Sequence, residues 1–242
     1  MEMLMKKIAL IMFLFVANYN TAFALEKLPQ FPFPNDERVV VVSDYMIFNG
    51  VPMSAYKINS IKSVEEFLDF YKNKWSGTRG NGMPGYKIVE DEDAGIVLMS
   101  RLEDGAMYTV QVNTTSLNEL DVTLGVSLIP SVSSFPELGK GFPLMGKSTV
   151  INDIINIDNG VKARTLLIEI SGSAYTVKNF YQGRIKSLGW SQAKPSPSSN
   201  YDKNAKDDHV LFFYKDDQEM QIVIVRKSRS ETVATVLITG LK

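Results

Sequence analysis

One pattern occurs twice in this chain, and it constrains the fold more than any other feature. Residues 49–71 open with Asn49-Gly50-Val51 and, after an extended-type run, reach Ser63-Val-Glu-Glu-Phe-Leu-Asp-Phe70-Tyr71. Residues 159–181 open with Asn159-Gly160-Val161 and reach Ser173-Ala-Tyr-Thr-Val-Lys-Asn-Phe180-Tyr181, each landmark displaced by 110 positions. Asn-Gly suits the positive-φ positions of a type I′ hairpin turn. The serines are N-caps, and Ser63 with Glu66 forms a capping box. Val64, Phe67, Leu68, Tyr71 and Trp75 then fall on one helical face, as do Ala174, Val177, Tyr181, Ile185 and Leu188.

The flanking sequence reads as strands. Arg38–Phe48 is β-branched and aromatic, and Val51–Ile58 returns from the turn. Tyr86–Val89, Gly95–Leu102, Ala106–Val112 and Leu120–Leu128 follow, with Glu103-Asp104-Gly105 as the clearest turn. In the second half Thr149–Ile157, Val161–Ile170 and Glu231–Leu241 are strands, and Met107–Val112 aligns with Met220–Val225 at an offset of 113. The expected class is α+β: two tandem β-β-α-β-β-β(-β) repeats, each one helix packed on a twisted antiparallel sheet. The expected boundaries are an extended lead-in at 25–37, repeat domains at 38–129 and 147–242, and a Pro- and Gly-rich linker at 130–146. The linker permits two separate sheets or one joined edge to edge.

Residues 1–24 differ from the rest. Lys6 and Lys7 precede the apolar run Ile8–Ala17, and Ala22-Phe23-Ala24 supplies an A-x-A site. This is the pattern of a cleavable signal peptide, cut between Ala24 and Leu25. The apolar run is shorter than the roughly 20 residues a spanning helix needs. The expected compartment is the periplasm, with a mature form that does not span the membrane. The chain has no cysteine, which excludes a disulfide scaffold, a thiol enzyme and a lipidated N-terminus. Removing Lys6, Lys7 and Glu2 leaves 24 basic against 26 acidic residues, a net charge of −2. Without a basic stripe, nucleic acid is not an expected partner.

The segment Ser173-x3-Val177-x2-Phe180-Tyr181, closed by Leu188-Gly189-Trp190, resembles a helix of exported bacterial domains that continue into a β-meander. The tandem plan resembles the paired helix-grip domains of BamC and other TBP-like envelope proteins. Ile185 stands where their pattern has leucine, the lipidated cysteine is absent, and the first half lacks Gly-Trp. The resemblance implies a scaffold or interaction domain and carries over no catalytic residue.

Chemistry-bearing patterns are sparse. Gly80-Asn-Gly82-Met-Pro-Gly85 matches G-x-G-x-x-G, but it leaves a helix and enters a strand, the wrong context for phosphate binding. Glu90-Asp91-Glu92-Asp93 lacks the alternating ligands and glycine of a calcium loop. His209 is the single histidine, too few for a common zinc site or a Ser-His pair. Asn113-Thr114-Thr115 is a glycosylation sequon by pattern alone. No catalytic, cofactor or metal residue is assigned, and no enzyme activity is expected. The expectation is a non-enzymatic periplasmic module that binds envelope proteins and is accessory to an envelope, secretion or surface-appendage assembly. The alternative is a small molecule or lipid held between helix and sheet by Phe67, Phe70, Tyr71, Tyr175, Phe180 and Tyr181. Function is expected where the halves differ, in the 80–85 and 194–208 loops.

Overall fold

A computed structural model of the chain describes residues 28–77, 85–114, 119–129, 136–158, 161–193 and 208–241. The expected signal peptide, with Ala22, Ala24 and Leu25, lies outside them. So do most of the 80–85 loop, the Asn159-Gly160 turn and nearly all of the 194–208 loop.

In chain order the elements are β1 (Val39–Phe48), β2 (Val51–Ser60), α1 (Val64–Lys74), β3 (Lys87–Asp91), β4 (Ile96–Glu103), β5 (Ala106–Asn113) and β6 (Leu120–Leu128). Then come β7 (Ser148–Asp158), β8 (Val161–Ser171), α2 (Ala174–Ser187), β9 (Ser191–Gln192), β10 (His209–Lys215), β11 (Gln218–Arg226) and β12 (Glu231–Leu241). The expected α+β class, with two tandem repeats of one helix packed on a twisted antiparallel sheet, is corrected here. The strands form one 12-stranded sheet in the order β3-β4-β5-β6-β2-β1-β7-β8-β12-β11-β10-β9, so the class is mostly β. The joining pairs are Met46, Ile47 and Phe48 of β1 with Asn156, Ile155 and Ile154 of β7. Ladder bonds between distant strands leave no local trace in sequence, which is why the linker argument left this open.

The chain divides into two compact units. The first holds residues up to Tyr45 and Val51–Phe135; the second holds Met46–Gly50 and Pro136–Lys242. In the first, Phe67, Leu68, Tyr71 and Trp75 of α1 are buried against Ile58, Met99, Val110, Val122 and Leu124. Phe31, from the segment ahead of β1, completes this core. Its ring lies 6.0 Å from Tyr71, 6.5 Å from Trp75 and 5.8 Å from Tyr108. In the second, Ala174, Val177, Tyr181 and Ile185 of α2 are buried with Leu166, Ile168, Ile222, Ile224 and Val236. Leu188, expected on this stripe, is instead the exposed C-cap residue. Phe142 joins the same core, 5.7 Å from Tyr181.

Local chemistry accounts for the turns and caps. Asn49 and Gly50 have φ of 50° and 83°, as a type I′ turn requires. The amide of Glu66 donates to Ser63 Oγ (3.2 Å), and the amide of Ser63 donates to Glu66 Oε2 (2.9 Å). In α2 the amide of Thr176 donates to Ser173 Oγ. The expected 113-residue alignment of β5 with β11 is also corrected. The positive-φ turn residues are Asp104 and Asp216, 112 apart. At that offset Tyr108, Val110 and Val112 match Met220, Ile222 and Ile224, all buried. A slip of one residue exchanges the two faces of a strand, so 113 would have set buried positions against outward ones.

Candidate interaction surface

Residues 210–214 read Val-Leu-Phe-Phe-Tyr, an unbroken apolar run where a strand with one wet face would alternate. The strand settles which side chain goes where. Leu211 and Phe213 enter the core beneath α2, while Phe212 and Tyr214 point outward with 43% and 52% of their surface exposed. The register carries the same face across the second unit. Phe212 lies opposite Gln221, which lies opposite Leu237, which lies opposite Thr165. In the next row Val210, Val223, Thr235 and Leu167 are neighbours. Beyond it Val225 pairs with Val233, and Val233 with Glu169. Val225 and Leu237 are 44% and 38% exposed. The result is an aromatic and β-branched surface on the face of β10, β11, β12 and β8 away from α2.

The corresponding face of the first unit is mixed: Val89, Leu98, Leu102 and Met107 lie on it beside Thr109, Gln111, Thr123 and the ion pair Lys57–Asp121 at 3.1 Å. Since solvent-facing sheet positions are normally polar, the apolar face of the second unit requires an explanation beyond folding.

A network of polar groups braces the second unit on its helix side. Asp153, on β7, receives Nε and Nη2 of Arg164 at 2.8 and 2.6 Å and the amide of Gly139 at 2.8 Å. Burial pushes the Asp153 carboxyl up, but the Arg164 hydrogen bonds, the Gly139 amide and the Arg164 charge outweigh it and hold the group below its ordinary value. Arg164 Nη1 also donates to the carbonyl of Lys140 (3.0 Å). Asn49 adds a second layer: its Oδ1 accepts from the amide of Asp153 (2.7 Å) and its Nδ2 donates to the carbonyl of Ile151 (3.2 Å). Every polar atom here that is named has a partner, so the network reads as a brace.

The residues singled out in the sequence are dispersed. Gly85 packs against backbone: a Cβ there would meet Gly77 O at 2.4 Å and Trp75 O at 2.8 Å, a structural reason for glycine at this point. Asp91 Oδ1 accepts the amide of Ala94 (3.0 Å) in the acidic turn. Among the described residues no group of three or more His, Cys, Asp or Glu side chains is placed to hold a metal ion. His209 begins β10 opposite Ile224, and Asn113 ends β5 opposite Asp121. Of the helix aromatics, Phe67, Tyr71 and Tyr181 are buried, Phe70 and Phe180 pack partly against the cores, and Tyr175 is exposed. Burial raises the phenols of Tyr71 and Tyr181 well above their usual value, and the charge of Glu37 adds to the effect at Tyr71. A cleft of about 110 Å³ lies between Lys147, Glu169, Ser171, Lys227 and Glu231, with Lys227 Nζ 3.1 Å from Glu169 Oε1. It is smaller than the roughly 300–1,000 Å³ of drug-sized ligand sites.

No family model matches the sequence, and no curated protein matches it. The likeness to BamC-type helix-grip domains therefore rests on its short motif alone. One solved structure, described as "The crystal structure of Tle4-Tli4 complex", matches 87% of this chain and 82% of its own at 10% identity and a TM-score of 0.31. At that score it bears on neither function nor partner. No helix among the described residues is long and apolar enough to cross a membrane.

Proposed function

We propose that this chain is a non-enzymatic protein-interaction module of the bacterial periplasm, accessory to an envelope, secretion or surface-appendage assembly. The observation that carries the reading is the outward apolar face formed by Phe212, Tyr214, Val223, Val225, Val233 and Leu237. Large apolar side chains gathered on an outward sheet face, with polar residues among them, support a binding site for another protein. Phe and Tyr at its exposed edge are residue types enriched at such interfaces. The periplasmic part rests on Lys6, Lys7, the Ile8–Ala17 run and the A-x-A site, and the Phe180-Tyr181 motif resemblance points to the same compartment.

The helix–sheet groove reading has less behind it. The space beneath α1 is occupied by Phe31, Tyr71, Trp75 and Tyr108, and that beneath α2 by Phe142 and Tyr181.

The test is crosslinking of the tagged chain in intact cells, beside a Phe212→Asp/Leu237→Asp variant. An adduct with an envelope protein that disappears in the variant, with circular dichroism unchanged, is the expected result. Recovery of free monomer alone under several conditions, or an adduct indifferent to the two aspartates, would overturn the reading. N-terminal sequencing of the periplasmic fraction should begin at Leu25.

A further inference from the structure

The sheet of the second unit ends in a polar row that the apolar face does not use. Ser171 donates its amide to Lys147 O (3.2 Å), and Lys227 donates its amide to Glu231 O (3.0 Å). Glu231 lies opposite Ser171 across the β8–β12 ladder. Lys147, Ser171, Glu231 and Lys227 therefore form one row across β8, β12 and the ends of β7 and β11. Ile170 and Thr232, their neighbours in sequence, are buried on the helix side, so alternation turns Ser171 and Glu231 outward. The next row along the strands is Thr149, Glu169 and Val233.

These residues line the cleft of about 110 Å³. Two of its four ionic groups are matched to one another: Lys227 Nζ lies 3.1 Å from Glu169 Oε1. Since Glu169 is opposite Val233 and Lys227 adjoins Glu231, this bridge crosses β12 between those two residues and walls the cleft off from the apolar surface. The other two ionic groups are unmatched. Among the described residues neither Lys147 nor Glu231 enters an ion pair. Lys147 also sits at φ 60°. The other non-glycine residues at positive φ among the described residues are Asn49, Asp104 and Asp216, whose short polar side chains tolerate it. Lysine lacks that tolerance, and strain of this kind collects at ligand clamps.

The charges restrict what the cleft can hold. Two lysines and two glutamates sum to zero, so it attracts neither an anion nor a cation as such. A carboxylate drawn to Lys147 is repelled by Glu231, and an ammonium drawn to Glu231 is repelled by Lys147. A molecule that carries both groups satisfies both residues. We propose that this cleft binds a zwitterionic α-amino acid with a small side chain, its carboxylate on Lys147 Nζ and the Ser171 hydroxyl, its ammonium on the Glu231 carboxylate. The backbones of Lys147 and Glu231 stand two strands apart, about 10 Å, a gap that the two side chains and a molecule of this length close. The volume suits glycine or alanine and excludes a long side chain. The site is separate from the apolar face, and either can fail without the other.

Titration of the full chain, followed by NMR, tests this. Glycine and alanine should bind saturably with Kd of about 1 mM, while acetate, methylammonium and leucine should each bind at least about tenfold more weakly. Lys147→Met and Glu231→Gln should each raise the Kd for glycine about fivefold, the worth of one exposed ion pair. Both residues are exposed, so circular dichroism should not change. Lys147→Glu combined with Glu231→Lys should restore binding, with the ligand turned end for end. Lys147→Gly should lose the ligand yet raise the urea midpoint, because glycine adopts positive φ without strain. Three outcomes would overturn the proposal: no saturable binding of glycine or alanine up to about 100 mM, acetate binding as well as glycine, or a Kd indifferent to both Lys147→Met and Glu231→Gln. Loss of glycine binding in the Phe212→Asp/Leu237→Asp variant would place the ligand on the apolar face and would also overturn it.

Discussion

Replacing Arg164 by Met removes the guanidinium from the brace on β7 while keeping the length of the side chain. Asp153 then loses the bonds at 2.8 and 2.6 Å and retains only the Gly139 amide. The side chains of Arg164 and Asp153 are only 17% and 11% exposed, so the stranded carboxylate cannot rehydrate freely. Breaking one partner of such a pair costs about 3–5 kcal/mol, against a total of about 5–15 kcal/mol for a domain. Replacing both, as Asp153→Asn with Arg164→Met, removes both charges and should cost less than the two single changes together, with a coupling of about 2 kcal/mol. The two tryptophans fall one to a unit, Trp75 and Trp190. In a Trp75→Phe background, fluorescence during urea unfolding therefore follows the second unit. The pH dependence gives a separate check. Asp153 has a depressed folded pKa, so its contribution is complete above its ordinary value of 3.8 and is lost as pH falls through the lower folded value. The gap between the native protein and Arg164→Met should therefore narrow on acidification through that range. A single-mutant cost under about 1 kcal/mol, or full additivity in the double, would refute the assignment of this cluster as the brace.

Three further changes follow from local geometry, all read by urea unfolding. Asn49→Ala should cost about 2 kcal/mol, because it loses both side-chain bonds to β7 and places alanine at positive φ; Asn49→Gly should recover only the conformational part. Ser63→Ala should cost about 1 kcal/mol by opening the capping box of α1, and Ser173→Ala slightly less, since α2 has no reciprocal glutamate. Gly240→Ala should destabilise by more than about 2 kcal/mol, since a Cβ at φ 75° would meet Asp217 O at 2.3 Å where β12 shifts register.

What was readable from sequence was the chemistry that acts over a few residues. Asn49-Gly50 announced its turn, Ser63 and Glu66 their reciprocal bonds, and Tyr71 and Tyr181 their inward faces, because each depends on neighbours in the chain. The union of β1 with β7 depends on residues more than a hundred positions apart, and nothing local reports it. Phe31 and Phe142 were hidden for the same reason: each enters a core from a Pro-rich segment without periodicity. The outward face does carry a local signal. Val210–Tyr214 is apolar at every position, and a strand cannot bury two faces beneath one helix. The 113-residue alignment failed because matching Met107 to Met220 favoured identity of letters over identity of face.

The position of β12 between β8 and β11 also sets a schedule. Leu166 and Ile168 of β8 reach Ile222 and Ile224 of β11 only through Val236 and Ala234. A nascent chain emerging from the ribosome thus holds two apolar half-sheets that cannot join until Glu231–Leu241 has been translated. The second unit therefore closes only once its last strand is available, and until then the facing edges of β8 and β11 stay unpaired.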